Sequence, residues 1–213
     1  MALFDVSVSV PMDVRERYMG DFKRFANYCA RRDARMHADL IGSDTLGNNI
    51  PPLVSDLRPD QPRDNELFDN AQRFRKIEEM VEEISLYVLD DRLRTNGTDI
   101  FGGLIVAARR FSGSVGERHL VIFSDGLQSA DPFNITKRDL SDPAVVNRIF
   151  VDTGSAGLRA NLQMATVDMV GVESSEAITP LRQALALERF WKGYIERVQG
   201  RLNQYNKSWS APR

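Results

Sequence analysis

Five side chains that can donate oxygen ligands occupy three short fragments of the chain, and their types suit a hard divalent cation. The first fragment is Asp5-Val-Ser7-Val-Ser9, the second is Thr98 and the third is Asp125. Magnesium prefers an octahedral array of oxygens and keeps several waters. The aspartates supply negative charge, whereas the serine and threonine hydroxyls are neutral. A metal bound here would stay electrophilic, so that an open position could accept a carboxylate from another protein.

The predicted elements bring these fragments to strand and helix ends. Asp5, Ser7 and Ser9 point to the same side of an extended backbone because side chains alternate along a strand. Thr98 precedes a predicted helix, and Asp125 follows a buried strand. In an open parallel sheet such loops gather at the carboxyl edge, most usefully at the topological switch point. The fragments therefore converge if the first strand lies beside the strand that ends at Asp125.

The three fragments resemble the metal-ion-dependent adhesion site of the von Willebrand factor type A (vWA) family. That site combines a D-x-S-x-S motif after the first strand, a distant threonine, and an aspartate followed by glycine. The matching segments here are Asp5-Val-Ser7-Val-Ser9, Asn-Gly-Thr98-Asp-Ile and Ile-Phe-Ser-Asp125-Gly. The resemblance covers nearly the whole chain, because the alternation of strands and helices also fits. One departure is Val8, at a position that is often glycine in the family.

The resemblance implies a single vWA-like domain over residues 1–213 that uses a bound Mg²⁺, Mn²⁺ or Ca²⁺ to bind a protein. The implied metal ligands are Asp5, Ser7, Ser9, Thr98 and Asp125. It also implies that the protein partner offers a carboxylate, as in adhesion, and that the domain is not an enzyme. In related domains binding is often coupled to a shift of the last helix, here predicted to begin at Thr179. We favour a rigid last helix that simply covers the sheet.

Other roles remain open for the same residues. Ser7 and Ser9 could bond backbone groups of their loop, Thr98 could cap its helix, and Asp125 could be a turn residue before glycine. The alternative function is a Mg²⁺-dependent phosphoryl-transfer or hydrolytic enzyme on the same fold. Against it, the three fragments contain no lysine, arginine or general base for the transferred charge. A metal that only ties loops together is a third interpretation.

Other chemically suggestive residues carry weaker signals. Asp152-Thr-Gly resembles the signature of aspartic proteases, but that chemistry needs two carboxylates sharing a proton, and the chain has one such triplet. We interpret it as a turn after a short helix. Cys29 is the single cysteine, lies in an apolar helical stripe and is expected to be buried. His37 and His119, in or beside predicted strands, lack the further ligands of a zinc site.

Composition narrows the classes of partner. The 213 residues are 42% hydrophobic and 27% charged, with a formal net charge of -2. That near-neutral balance argues against a nucleic-acid partner. We find no apolar run long enough to span a membrane. The composition leaves the oligomeric state undetermined.

Three sequons bear on the source of the chain: Asn96-Gly-Thr, Asn134-Ile-Thr and Asn206-Lys-Ser. A glycan on Asn96 would lie two residues from the candidate ligand Thr98, so we expect a bacterial source, cytoplasmic or exported. No signal peptide is visible. Because the first predicted strand begins at residue 2, the sequence leaves open a preceding segment that was removed.

The elements expected to position the site alternate between strands and helices, which predicts a doubly wound α/β domain with a mainly parallel sheet and helices on both faces. Strands are predicted at Ala2–Val8, Met36–Ile41, His119–Phe123 and within Leu162–Val172. Helices are predicted from Asp13, capped by a box with Glu16, to about Cys29, and at Glu66–Arg92, Asp99–Phe111, Asp142–Val151 and from Thr179-Pro180 to Tyr205. The polar, proline-containing segment Gly42–Asn65 is predicted to be an irregular surface loop.

Overall fold

The computed structural model of this chain describes residues 1–47, 50–60, 66–172 and 181–212. The strands are β1 (Ala2–Asp5), β2 (Arg35–Ile41), β3 (Leu53–Asp56), β4 (His119–Phe123), β5 (Ala165–Val170) and β6 (Gly200–Asn206). The helices are α1 (Met12–Ala30), α2 (Glu66–Val88), α3 (Ile100–Phe111), α4 (Pro143–Ser155) and α5 (Leu181–Arg197), with a short 3₁₀ helix at Asp91–Leu93.

The strands form one sheet in the order β3-β2-β1-β4-β5-β6. Every neighbouring pair is parallel except β2 with β3, which is antiparallel. One buried cluster joins α1 and α2 to the face that carries Phe4 and Phe123, and a second joins α3, α4 and α5 to the face that carries Leu3 and Ile122. Helices thus cover both faces, and the predicted doubly wound α/β fold is confirmed.

The switch point lies between β1 and β4. From β1 the chain leaves through α1 on one face, and from β4 it proceeds to α4 on the other. Loops after such a pair of strands separate and leave a crevice at the carboxyl edge. Beneath this crevice the rings of Phe4 and Phe123 stack with centroids 4.8 Å apart, and Phe22 meets Phe4 edge-on at 5.1 Å. This aromatic layer gives the strand ends a packed floor.

The first two elements differ from their predicted limits. β1 ends at Asp5 instead of Val8, because beyond it only Ser7 makes an isolated bridge, to Thr95. The capping box at Asp13 is wrong. Pro11 is the N-cap residue of α1, has no side-chain cap bond, and accepts the backbone N–H groups of Val14 and Arg15 through its carbonyl.

The segment Gly42–Asn65 was predicted to be irregular, yet it contains β3. Leu53–Asp56 pairs with β2 as an antiparallel edge strand. The prediction failed because an edge strand of four half-buried or exposed residues needs no alternating apolar pattern. The remainder of this segment is irregular where the structure describes it, and residues 48–49 and 61–65 lie outside the described residues.

The limits of α2 and α4 differ from the predicted ones. α2 ends at Val88 instead of Arg92, and its residues Leu67 and Phe74 are 81% and 54% exposed. α4 runs to Ser155, so that the Asp-Thr-Gly triplet lies in its last turn rather than in a following turn. Among the described residues no helix is long and apolar enough to cross a membrane.

The last predicted helix was wrong at its end. α5 stops at Arg197, and the chain turns through Gln199, whose φ is 58°, into β6 beside β5. Leu202 therefore lies in a strand, whereas Trp191, Tyr194 and Val198 are buried at helical spacing. The predicted helix start at Thr179-Pro180 lies outside the described residues.

Candidate metal site

Pairing of β1 with β4 brings the two aspartates to one crevice. Phe4 is in register with Phe123, so Asp5 and the residues after Phe123 leave the sheet side by side. The carboxyl groups of Asp5 and Asp125 are both fully buried. The fragments were expected to converge if the first strand lay beside the strand that ends at Asp125, and β1 does lie beside β4.

Asp5 is the centre of a hydrogen-bond cluster. Its Oδ1 accepts the backbone N–H of Ser7 at 2.8 Å, and the Thr98 hydroxyl donates to the same oxygen at 3.4 Å. Its Oδ2 accepts the hydroxyl of Ser124 at 2.7 Å. These donors stabilise the charged carboxylate and fix its orientation.

The two serines of the first fragment form the open side of the cluster. Their Oγ atoms are 2.9 Å apart, with Ser7 buried and Ser9 exposed to solvent. The Ser9 hydroxyl lies near enough to Asp125 to lower the pKa of that carboxyl. Val8 is not among the described residues with positive φ, so this loop does not need the backbone freedom of glycine, and the Val8 side chain is 49% exposed.

Thr98 lies in the cluster and does not cap helix α3. Asp99 is the N-cap of α3, and its carboxylate accepts the backbone N–H of Gly102 at 2.9 Å. The cap role considered for Thr98 is therefore wrong. Its own backbone N–H donates to Ser129 Oγ at 2.9 Å, which anchors the residue, and its side chain is completely buried facing Asp5.

Asp125 combines a turn role with a free oxygen. Its Oδ1 accepts the backbone N–H of Leu127 at 2.9 Å, which is the turn bond expected of an aspartate before Gly126. Gly126 has φ 81°, in the left-handed region that favours glycine. Its Oδ2 is buried and has no hydrogen-bond partner among the described residues. A buried carboxylate oxygen without a partner costs several kcal/mol, so it is a candidate to face a cation.

The raised pKa values of Asp5 and Asp125 also favour a bound cation at this position. Burial raises the pKa of Asp5, and the neighbouring charge of Asp125 raises it further. Burial also raises the pKa of Asp125. Within the described part of the chain, neither carboxylate forms an ion pair with lysine or arginine. A divalent cation would offset both charges.

The residues present fit a hard divalent cation. The cluster offers two carboxylates and three hydroxyls, which are oxygen donors of the kind that Mg²⁺, Mn²⁺ and Ca²⁺ take. No group of three or more His, Cys, Asp or Glu side chains suited to a metal occurs in the described ranges. His37 and His119 lie in β2 and β4, away from this set, and Cys29 is buried as predicted.

Two residues near the cluster were missed from the sequence. Ser124 donates its hydroxyl to Asp5, and nothing in the sequence separates it from an ordinary loop serine. Tyr18 lies in α1 and is buried, and its hydroxyl has no hydrogen-bond partner among the described residues. The charges of Asp5 and Asp125 add to the effect of burial in raising the pKa of Tyr18. The tyrosine hydroxyl therefore lies within electrostatic reach of the site.

Comparisons with known proteins add no assignment. The chain matches no protein-family model and no curated protein.

Proposed function

We propose that this protein is a divalent-cation-dependent protein-binding domain of the vWA type. The observation that carries the proposal is the cluster at the switch point. Asp5, Ser7, Ser9, Thr98 and Asp125, chosen by residue type and spacing, lie together where β1 and β4 end. Mg²⁺, Mn²⁺ or Ca²⁺ is held there by hydroxyl and carboxylate oxygens.

The balance of charge favours an anionic ligand from the partner. Two carboxylates offset the formal charge of the cation, but the three hydroxyls add none, so the metal retains attraction for an anionic oxygen. The approach lies on the side of Ser9, the exposed member of the set. A carboxylate from an acidic side chain takes the place of a metal-bound water on this side.

The residues around the open side of the site suggest which side chains lie next to the acidic residue of the partner. Val8 is 49% exposed, and Leu46, in the loop that contacts Asp99 through Thr45, is 40% exposed. Apolar side chains at the rim favour a partner in which apolar residues adjoin the acidic one. The partner segment thus combines one carboxylate with apolar neighbours.

Movement of the last helix on binding would have to overcome a specific contact. The indole Nε1 of Trp191, in α5, donates to the carbonyl oxygen of Gly126 at 2.8 Å. This bond joins the helix to the loop that carries Asp125. We retain the rigid helix as the expected state, and a shift of α5 would require that this buried bond break.

Mn²⁺ relaxivity tests the proposal on the isolated domain. Mn²⁺ binding should immobilise the ion and raise the relaxation rate of bulk water protons. Addition of a short peptide with one aspartate between apolar residues should then lower that rate, because its carboxylate displaces a metal-bound water. The matched peptide with asparagine should leave the rate unchanged.

The Asp5→Ala variant separates the two parts of the proposal. Calorimetry should give one Mn²⁺ site in the native chain and none in the variant. Undiminished Mn²⁺ binding in the variant would refute the ligand assignment. A native site whose relaxivity responds equally to both peptides would refute the acidic-ligand mechanism.

One observation favours the enzymatic alternative, Mg²⁺-dependent phosphoryl transfer or hydrolysis. Arg94 donates to the Val8 carbonyl oxygen at 2.9 Å, so a guanidinium lies beside the first fragment. The same side chain also contacts Asp91 at 3.6 Å. Mg²⁺-dependent turnover of p-nitrophenyl phosphate that disappears in Arg94→Gln would support this alternative over binding.

A further inference from the structure

A cavity of about 310 Å³ lies at the opposite end of the molecule from the candidate metal site. It is lined by the last turn of α4, by the segment that leads into β5, and by the end of α5 with the residues before β6. These segments meet at the amino ends of β5 and β6, whereas the metal site lies at the carboxyl ends of β1 and β4. The volume is that of a small-molecule site.

Two arginines contribute the charged groups of this cavity lining. Arg159 and Arg197 form no ion pair with any carboxylate in the described part of the chain. The Arg159 guanidinium lies against Gly154, where a Cβ would be 2.9 Å from its Nε. The Arg197 guanidinium lies 5.7 Å from the ring centroid of Phe150. Both heads are therefore held against a wall of the cavity.

The charged groups in the cavity lining are both positive. The carboxyl ends of α4 and α5 contribute partial negative charges of roughly half a unit each. The two guanidinium groups contribute full positive charges and outweigh the helix ends, and the exposed carboxylates of Asp152 and Glu196, adjacent in sequence, are not part of the lining. Asn161 adds a neutral donor, because its Oδ1 accepts the backbone N–H of Gln163 at 2.9 Å and its amide N–H groups are left for another acceptor.

The remaining walls are aromatic, and the hydroxyl groups in them form hydrogen bonds. The rings of Phe150 and Tyr194 have centroids 5.7 Å apart, and the Tyr194 hydroxyl donates to the Leu158 carbonyl oxygen at 3.1 Å. The hydroxyl of Thr153 donates within α4, to the Ile149 carbonyl oxygen at 2.9 Å. These hydroxyl protons are thus engaged, and the charged donors of the lining are the two arginines.

We propose that this cavity binds a small organic anion, a carboxylate or phosphate ester attached to an aromatic or aliphatic group. The oxyanion pairs with Arg159 and Arg197, which suit planar two-point recognition of such groups. The apolar part of the ligand packs on Phe150 and Tyr194. The site is independent of the divalent cation and lies outside the protein-binding surface proposed above.

Phenyl phosphate titrated into the full chain in EDTA tests the proposal, with amide chemical shifts as the readout. We expect saturable shifts confined to residues around the cavity, with a Kd at or below about 1 mM. Inorganic phosphate should shift the same residues more weakly, because it lacks the ring. Either an absence of saturable shifts at about 10 mM phenyl phosphate or shifts centred elsewhere would overturn the proposal.

Variants identify the binding groups. Arg159→Gln and Arg197→Gln should each weaken phenyl phosphate at least tenfold, with the amide spectrum otherwise retained. Arg148→Gln is the matched control, because Arg148 is an exposed residue of α4 outside the cavity lining and its change removes the same charge. If all three variants bind phenyl phosphate with the same affinity, the binding is a nonspecific attraction to positive charge and the proposal is wrong.

Discussion

Replacement of Asp5 by asparagine should stabilise the metal-free protein while removing metal binding. Burial and the charge of Asp125 raise the pKa of Asp5 from 3.8 to about 7. At about 1.36 kcal/mol per pKa unit, a difference of about 3 units corresponds to on the order of 4 kcal/mol of destabilisation above pH 7. The variant avoids this cost. Its amide can still accept the backbone N–H of Ser7, and the hydroxyl of Ser124 can accept from its N–H.

The direction of the pH effect follows from proton linkage. The pKa of Asp5 is higher in the folded state than in the unfolded state, so the folded protein binds more protons than the unfolded chain between about pH 4 and pH 7. The chain with Asp5 therefore loses stability relative to the Asp5→Asn variant as pH rises through this range. We expect Asp5→Asn to raise the free energy of unfolding by about 2–4 kcal/mol at about pH 8 in EDTA, and to change it little near pH 4.

Urea denaturation followed by tryptophan fluorescence measures this difference, since Trp191 and Trp209 are both buried. Asp152→Asn is the matched control because Asp152 is exposed, and it should leave stability nearly unchanged at both pH values. Addition of Mg²⁺ should stabilise the native chain and not the Asp5→Asn variant. An Asp5→Asn protein less stable than the native chain at about pH 8 in EDTA would show that the buried Asp5 charge does not destabilise the metal-free fold.

Four further substitutions test the surroundings of the site and the core. Thr98→Val should weaken Mn²⁺ about tenfold in calorimetry with little loss of stability, whereas Asp99→Ala, which removes the α3 cap, should cost about 1 kcal/mol of unfolding free energy in urea denaturation. Trp209→Phe removes an indole N–H that donates to buried Asp168 at 2.8 Å, and should lower the unfolding free energy by about 1–3 kcal/mol. Gly126→Ala forces a Cβ onto φ 81° and should weaken both stability and Mn²⁺ binding, as urea denaturation and calorimetry would show, because this residue adjoins a candidate ligand. Unchanged Mn²⁺ affinity in the threonine variant would remove that hydroxyl from the ligand set.

The candidate site could be predicted from the sequence because each fragment has a local signature. A polar D-x-S-x-S run follows a short apolar strand, and an aspartate-glycine pair follows a buried one. The parallel order of β1 and β4 then brings the fragments together. Ser124 could not be distinguished from an ordinary loop serine, because its role depends on facing Asp5 across the strand boundary.

The elements at the rim of the sheet could not be predicted in the same way. β3 pairs on one side only, so its sequence carries no alternating apolar signal. For β6 the helical stripe of α5 continues in register through Val198 to Leu202, and periodicity alone does not reveal the turn at Gln199. Tertiary pairing with β5 decides the strand there.

Diffraction from crystals soaked in Mn²⁺ tests whether the cluster of Asp5, Ser7, Ser9, Thr98 and Asp125 binds a metal ion. We predict an anomalous peak between the ends of β1 and β4, with oxygens of Ser7, Ser9 or Thr98 at about 2.0–2.6 Å, the bond lengths typical of hard divalent cations. Asp5 and Asp125 should border the same peak. An anomalous map with no peak in this cluster, from crystals that contain Mn²⁺ bound elsewhere, would contradict the assignment of the metal site.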